Sequence, residues 1–384
     1  GRQDKLRQHS SLQPHQHPRD IPVWRRGYKD GKAQKALFNQ PTGMTVDQRG
    51  NLFVADTLNH CIRRIAPSGR VKTWAGNGTQ GHHDSRGQKA RLNQPTGIAL
   101  GPEQSLLVVD QGNAVLRFIS PQQEVLTLPL PASPLGGIGY AKGHVYLTLN
   151  HFGETVLLRL NLSTRQTALL THWEGRLQWL DYRAGDEERP FSRWWQAQDH
   201  HPRPYVLAPG PRPGLGLCID SHHTLIWAEG ARVHRLALDP LHLQTQTLEL
   251  PLWPAPRWQG IQALPDGSLF ALDAEHQAVY RITAEGVTLA ADIPDGLDRP
   301  YALARNAYGQ VFISDSGHWR ICRLNLPGNG PLLRLAQLAF LPHLPQLQEP
   351  IALELKKGVH SLVKRYLNSP KSEAPLPALP GIAQ

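Results

Sequence analysis

Short apolar runs of four to six residues, rich in Val, Ile, Leu and aromatics, recur along most of the chain and are broken by Gly, Pro, Asp and Asn. Helical periodicity is absent over most of its length, and runs of this kind read as β-strands. Two segments nearly superimpose: Asn39-Gln-Pro-Thr-Gly43-Met-Thr-Val46 and Asn93-Gln-Pro-Thr-Gly97-Ile-Ala-Leu100. Each leads to an apolar run ending in an acid, Leu52 to Asp56 and Leu106 to Asp110. A third run follows in each, Ile62 to Ile65 and Leu116 to Ile119.

Four weaker copies carry Gly137, Gly216, Gly260 and Ala302 in place of Gly43. Thirteen positions after each stands Asn150, Glu229, Asp273 or Asp315, the same offset as Gly43 to Asp56. An offset that returns six times defines six repeats. Third runs recur at Val156 to Leu160, Val233 to Leu236, Val279 to Ile282 and Ile321 to Leu324. Fainter fourth runs lie at Val71–Trp74, Val125–Leu128, Thr167–Leu170, Thr247–Leu250 and Val287–Ala290. Four-stranded antiparallel units at this period predict an all-β chain, a six-bladed β-propeller.

That geometry assigns roles. Innermost strands converge on one axis, so a small residue at Gly43, Gly97, Gly137, Gly216 and Gly260 lets neighbouring backbones approach. A branched side chain at Gly43 or Gly97 is expected to overpack by about 1–3 kcal/mol. The acid or amide after the second strand suits acceptance of backbone N–H groups in the turn that follows, a structural role. A ligand role competes with it. On that reading the axial-face candidates are Asp56, His60, Asp110, His151, Asp273, His276, Asp315 and His318.

The phrase Pro41-Thr-Gly-Met-Thr-Val-Asp-Gln-Arg-Gly-Asn-Leu-Phe-Val-Ala-Asp-Thr-Leu-Asn-His60 resembles the NHL repeat family, as does the linker from Gly76 to Ala90. The resemblance is strong across residues 20–130, moderate over 255–326 and weak between. It implies a propeller whose relatives mostly bind proteins or RNA, with a minority of related propellers acting as lyases, lactonases or hydrolases. A histidine at the position of His60 is ordinary for the family. A shorter echo of the linker, Gly27 to Phe38, precedes the first repeat. It places Ile21–Trp24 as an outer strand that completes the sixth blade, a slot for which Leu332–Phe340 competes.

Departures from the repeat mark the remaining regions. Residues 1–19 read as a flexible segment, 20–336 as the propeller and 337–384 as a C-terminal extension with a Pro-rich tail. The 79 residues between Gly137 and Gly216, against 40 to 54 elsewhere, hold an insertion at about 171–210. Long loops are usually functional or disordered, and Trp and Arg are common interface anchors. Trp173, Trp179, Arg193, Trp194 and Trp195 are therefore the candidates for binding a protein partner; simple packing of the tryptophans onto the propeller is the competing reading.

Composition narrows the chemistry. The net charge of +10 favours anionic partners, but the basic residues are scattered, as a solubility device would have them. RNA binding draws on Arg63, Arg64, Arg117 and Arg320, which form no sharp cluster in the sequence. Cys61, Cys218 and Cys322 lie too far apart for a disulfide framework or a CxxC motif. No nucleophile elbow, zinc helix or phosphate loop is present. No cofactor is expected; under the enzymatic alternative, a metal-assisted lyase or hydrolase, Zn or Ca would sit among the axial histidines and act on a small-molecule substrate. No run reaches the eighteen or so apolar residues of a membrane span. The compartment is left open, with a periplasmic or secreted location fitting if a signal has been removed. The leading reading is a protein-binding scaffold, within a larger assembly.

Overall fold

Each repeat folds on itself because its apolar runs are separated by turns too short for anything but antiparallel neighbours. The computed structural model describes residues 25–182, 202–249, 255–291, 296–307 and 309–324. The chain divides into two units, Gly1–Asn325 and Leu326–Gln384, and every described strand belongs to the first.

The first sheet holds β1 (Gly31–Lys32), β2 (Pro41–Val46), β3 (Leu52–Asp56), β4 (Cys61–Ile65) and β5 (Arg70–Ala75), in the order β1-β5-β4-β3-β2. The second runs β6 (Pro95–Leu100), β7 (Leu106–Asp110), β8 (Val115–Ile119) and β9 (Val125–Pro129). The third is the largest, with β10 (Pro134–Ala141), β11 (His144–His151), β12 (Glu154–Asn161), β13 (Thr167–Trp173) and β14 (Arg176–Tyr182). Two short strands join it, β15 (Arg203–Pro204) on β13 and β16 (Val206–Ala208) on β12. The fourth has β17 (Leu217–Ile219), β18 (Thr224–Glu229), β19 (Arg232–Leu238) and β20 (Leu241–Thr247). β21 (Trp258–Ala263), β22 (Leu269–Asp273), β23 (Ala278–Ile282) and β24 (Val287–Ala291) make the fifth. The last has β25 (Pro300–Arg305), β26 (Val311–Asp315) and β27 (Arg320–Leu324).

The first full strand of each sheet lies beside that of the next, in the order β2, β6, β10, β17, β21, β25 and back to β2. The fold is thus an all-β propeller of antiparallel blades. Five sheets reach four strands or more, and the last has three among the described residues. Those residues therefore give five complete blades rather than the expected six. Ile21–Trp24 and Leu332–Phe340, the two segments proposed to complete the last blade, lie outside the described residues.

Close approach at the axis explains the recurring glycines. A Cβ on Gly43 would stand 2.1 Å from the Thr96 carbonyl oxygen, and one on Gly97 2.1 Å from that of Gly136. At Gly216 and Gly260 the nearest backbone atoms, Gln259 O and Leu303 N, are 2.7 and 2.8 Å away. Gly137 differs, since its nearest neighbour is the Thr148 side chain at 2.7 Å. Apolar layers fill the space between sheets: Phe53, Ala55 and Ile62 meet Ile98, Leu106 and Val108, while Met44 and Val54 pack with Ala304 of the last sheet.

Two expectations need correction. The fourth strand of the fourth sheet is Leu241–Thr247, not Thr247–Leu250, because a two-residue turn at Asp239-Pro240 sets Leu241 opposite Leu238. Leu241 and Leu243 can then pack against the layer shared with the third sheet. The insertion, moreover, opens as structure rather than loop: β13 and β14 pair from Thr167↔Tyr182 to Trp173↔Arg176. Glu174 and Gly175, both at positive φ (46° and 78°), supply the two-residue hairpin turn.

Candidate functional site

The acids that end the second strands are wholly buried at Asp56, Asp110, Asp273 and Asp315. Their Oδ1 atoms accept backbone N–H groups from Asn39, Asn93, Arg257 and Asp298 at 2.7–2.9 Å. These donors precede the innermost strand, so the carboxylate ties down the chain entering its own blade. The sequence had suggested backbone donors of the following turn instead; among the described residues only Asp273 also accepts one there, from Glu275 N at 2.9 Å. The earlier donor wins because the second strand ends beside the entry of the first.

The other oxygen takes the side chain three residues on: Asn59 (2.9 Å), Asn113 (2.8 Å), His276 (2.5 Å) and His318 (2.9 Å). Arginines complete three of these clasps. Arg63 lies 2.7 Å from Asp56 and is itself fully buried. It also donates to the Lys29 and Leu37 carbonyls and pairs with Asp30, fastening the segment that leads into the first repeat. Arg117 repeats this with the His83 and Arg91 carbonyls and Asp84, and lies 3.6 Å from Asp110. In the last sheet Arg320 donates to Asp315 (2.7 Å) and the Gly296 carbonyl. Burial pushes Asp56 up to about 6 despite the pull of Arg63, and raises Asp110 too.

This accounts for most of the axial candidates. His276 and His318 stand in the asparagine position of the clasp. His60 Nδ1 accepts the Gln94 N–H at 3.1 Å, and His151 sets its ring edge-on to Phe152 at 4.7 Å. Burial lowers the pKa of both His60 and His151. The four histidines belong to four different sheets. Among the described residues no three His, Cys, Asp or Glu side chains come together as a metal ion would need.

The axis itself carries a residue that the repeat pattern passed over. Tyr301, one position before Ala302, reaches from the last sheet to the third. A Cβ on Gly136 would lie 2.8 Å from its hydroxyl and 3.4 Å from Thr96 Oγ1. Both hydroxyls are buried without a hydrogen-bond partner among the described residues, and burial raises the Tyr301 phenol above its usual range. An aromatic where earlier repeats have Thr42, Thr96 or Gly136 was the signal in the sequence.

Of the insertion candidates, Trp179 is taken up in packing, with its ring 5.8 Å from Tyr146 and the Arg159 guanidinium 4.8 Å above it. Trp173 stands exposed beside the hairpin turn, as Phe152 does at the β11–β12 turn on the same end of the sheet. Arg193, Trp194 and Trp195 lie outside the described residues. The five glycines sit at the axis as described above.

With this geometry in place, the NHL repeat family matches residues 38–65, the stretch from Phe38 through Ile65 that builds the clasp of Asp56 and Arg63. The chain carries an NHL repeat on a β-propeller. The chain is 33% identical over 109 residues to protein suppressor of quenching 1, chloroplastic, of Arabidopsis thaliana, covering 27% of the chain and 10% of that protein. It is 35% identical over 79 residues to NHL repeat-containing protein 2 of Gallus gallus, covering 20% and 11%. The chain thus matches about a tenth of the length of each relative. Among solved structures it resembles a streptogramin B lyase, with a TM-score of 0.50, 13% identity and coverage of 79% and 99%. An auxiliary nutrient binding protein from Bacteroides ovatus gives 0.53, with 12% identity and coverage of 79% and 73%. Identities this low speak for the fold alone. No helix among the described residues is long and apolar enough to cross a membrane.

Proposed function

We propose that this NHL propeller is a protein-binding platform whose partner meets the third sheet. The observation that carries the reading is the pair of large aromatics exposed at one end of that sheet, Phe152 (60% exposed) and Trp173 (39%). Both flank hairpin turns, on a blade that is wider than its neighbours and whose strands β10, β11 and β12 run to eight residues. Aromatic side chains held on rigid strands lose little entropy on docking and are frequent anchors of interfaces. Arg193, Trp194 and Trp195, which follow β14 in the chain, are candidates for contacting the same partner.

The alternatives draw less support. Three of the four arginines available to RNA, Arg63, Arg117 and Arg320, are engaged in clasps. The metal-assisted lyase or hydrolase would need donors that the histidines, each on its own sheet, do not bring together. Affinity capture from the native source, comparing the chain with its Phe152→Ala/Trp173→Ala variant, tests the proposal. A stoichiometric protein partner lost in the variant is the expected result; a partner retained in full would overturn it.

A further inference from the structure

The net positive charge of the chain is concentrated on one blade. Residues 25–76 hold ten Lys or Arg against three Asp, which is seven of the ten net charges. Of the three acids, Asp56 and Asp30 are engaged by Arg63, and Asp47 bonds its own turn at Arg49 N and Asn51 N.

The cations are also set against one another. Lys32 faces Arg70 across β1 and β5, and Arg64 faces Lys72 across β4 and β5. Cross-strand partners share a face of the sheet, and residues two apart along a strand do so as well. Lys32, Arg64, Arg70 and Lys72 therefore form one cationic patch over three adjacent strands. None of them makes an ion pair among the described residues. Like charges directly opposite cost stability, so two such pairs in register are an expense the fold does not recover internally. The Arg64 guanidinium lies 5.1 Å over Trp74, and its buried Nε has no hydrogen-bond partner among the described residues.

We infer that the outer strands of the first sheet, on the face whose inner part packs against the second sheet, dock an acidic segment of a protein, whose carboxylates lie between the paired cations. The class of partner rests on the platform reading above; the location does not. The patch favours a peptide over nucleic acid on two counts. It is only three strands wide, roughly 10 Å from β1 to β4, too short to track a phosphate backbone. Its aromatic rings are also occupied, Trp74 by Arg64 and by the edge of Phe53 at 5.4 Å, leaving no open platform for bases.

The test is fluorescence anisotropy at low salt with a labelled octaglutamate peptide and, separately, an oligouridylate of matched charge. The full chain would be compared with Lys32→Glu/Arg70→Glu/Lys72→Glu and with a control of equal charge change, Lys142→Glu/Arg165→Glu/Arg232→Glu. Peptide affinity should fall about tenfold or more in the first and about twofold or less in the control. Lys72→Glu alone should weaken binding and at the same time raise Tm by roughly 1–2 °C, since it turns a repulsive cross-strand pair into an attractive one. A merely structural Lys72 would give the opposite shift. No saturable peptide binding, equal losses in the two triple variants, a lowered Tm for Lys72→Glu, or tighter binding of the oligouridylate would each overturn the inference. If any of these occurs while the Phe152/Trp173 variant still loses its partner, the platform reading stands and this one falls.

Discussion

The first and third sheets solve the same structural problem by different means. In the first, four full strands of five or six residues are held by buried polar ties. Asp56 grips Asn39 and Arg63, and Thr57 Oγ1 donates to the Pro95 carbonyl of the next blade at 2.8 Å. The last sheet closes on the first in the same manner, through Ser316 Oγ and the Pro41 carbonyl. In the third, Asn150 stands in the position of Asp56, but among the described residues its side chain bonds only its own turn, accepting from Gly153 N at 3.1 Å. Eight-residue strands take over, and Thr155 holds the chain returning from the insertion through Gly210 O (2.9 Å) and Arg212 N (3.0 Å). A blade tied by a buried clasp can stay short and regular. One tied by long ladders is free to grow, and it is the third blade that bears the insertion.

The largest effect should come from breaking the clasp itself. Asp56→Ala leaves the Arg63 guanidinium buried with one carboxylate fewer, and removing one partner of such a pair costs about 3–5 kcal/mol. Asn150→Ala removes only a turn contact and should cost about 1 kcal/mol or less. Denaturant midpoints of the two variants give the comparison directly. Equal losses would mean that the clasp is not what holds the short blade.

Asp56 also gives the first sheet a pH dependence that Asn150 cannot give the third. Its carboxyl titrates near 6 in the folded chain against an ordinary 3.8. The folded state therefore holds a proton that the unfolded chain releases between those values. The stability contributed in this way is complete below about pH 4 and is lost as pH rises through 6, up to about 3 kcal/mol in all. Relative to Asp56→Asn, the wild-type chain should gain in Tm as pH falls from 7 to 4. Asn150→Asp, which introduces an acid on the third sheet without the clasp, should show no such gain. A flat difference for Asp56 would put its titration elsewhere.

How much of this was legible in the sequence depends on whether the signal was repeated. The offset from Gly43 to Asp56 returned six times and located the innermost strands, their close approach at the axis and the buried acids. It could not say which backbone donor each acid would choose. Arg63 and Arg117, each seven residues after its acid, carried a repeat signal too, but as basic residues they were weighed as RNA contacts rather than clasps. Tyr301 occurs once and its reach across the axis depends on the opposite Gly136, so no periodicity could reveal it. The cationic face of the first sheet was hidden for another reason. Lys32, Arg64, Arg70 and Lys72 are spread over forty residues, and only the register of β1, β4 and β5 brings them together.

Within the third sheet, two tryptophans separate packing from display. Trp179 lies between Tyr146 and Arg159, and Trp179→Ala should cost about 2–3 kcal/mol through lost burial and ring contacts. Trp173→Ala touches little and should change stability by about 0.5 kcal/mol or less. A comparable loss at both positions would mean that Trp173 also serves packing, and the platform reading would lose its better-placed anchor.

The smallest effect tests whether the clasp is one device throughout the ring. His276 and His318 occupy the position that asparagine fills at Asn59 and Asn113, three residues after the acid. If the position asks only for a donor to the buried Oδ2, then His318→Asn should reproduce the contact of Asn59, and Tm should move by about 1–2 °C at most. His318→Leu removes the donor and leaves Arg320 to hold Asp315, which should cost about 1 kcal/mol. The order of the two variants matters more than their size. Asparagine close to wild type with leucine clearly lower would show that the histidine is there for its N–H. Were asparagine as damaging as leucine, the ring would be supplying something an amide cannot, and His318 would return as a candidate for chemistry.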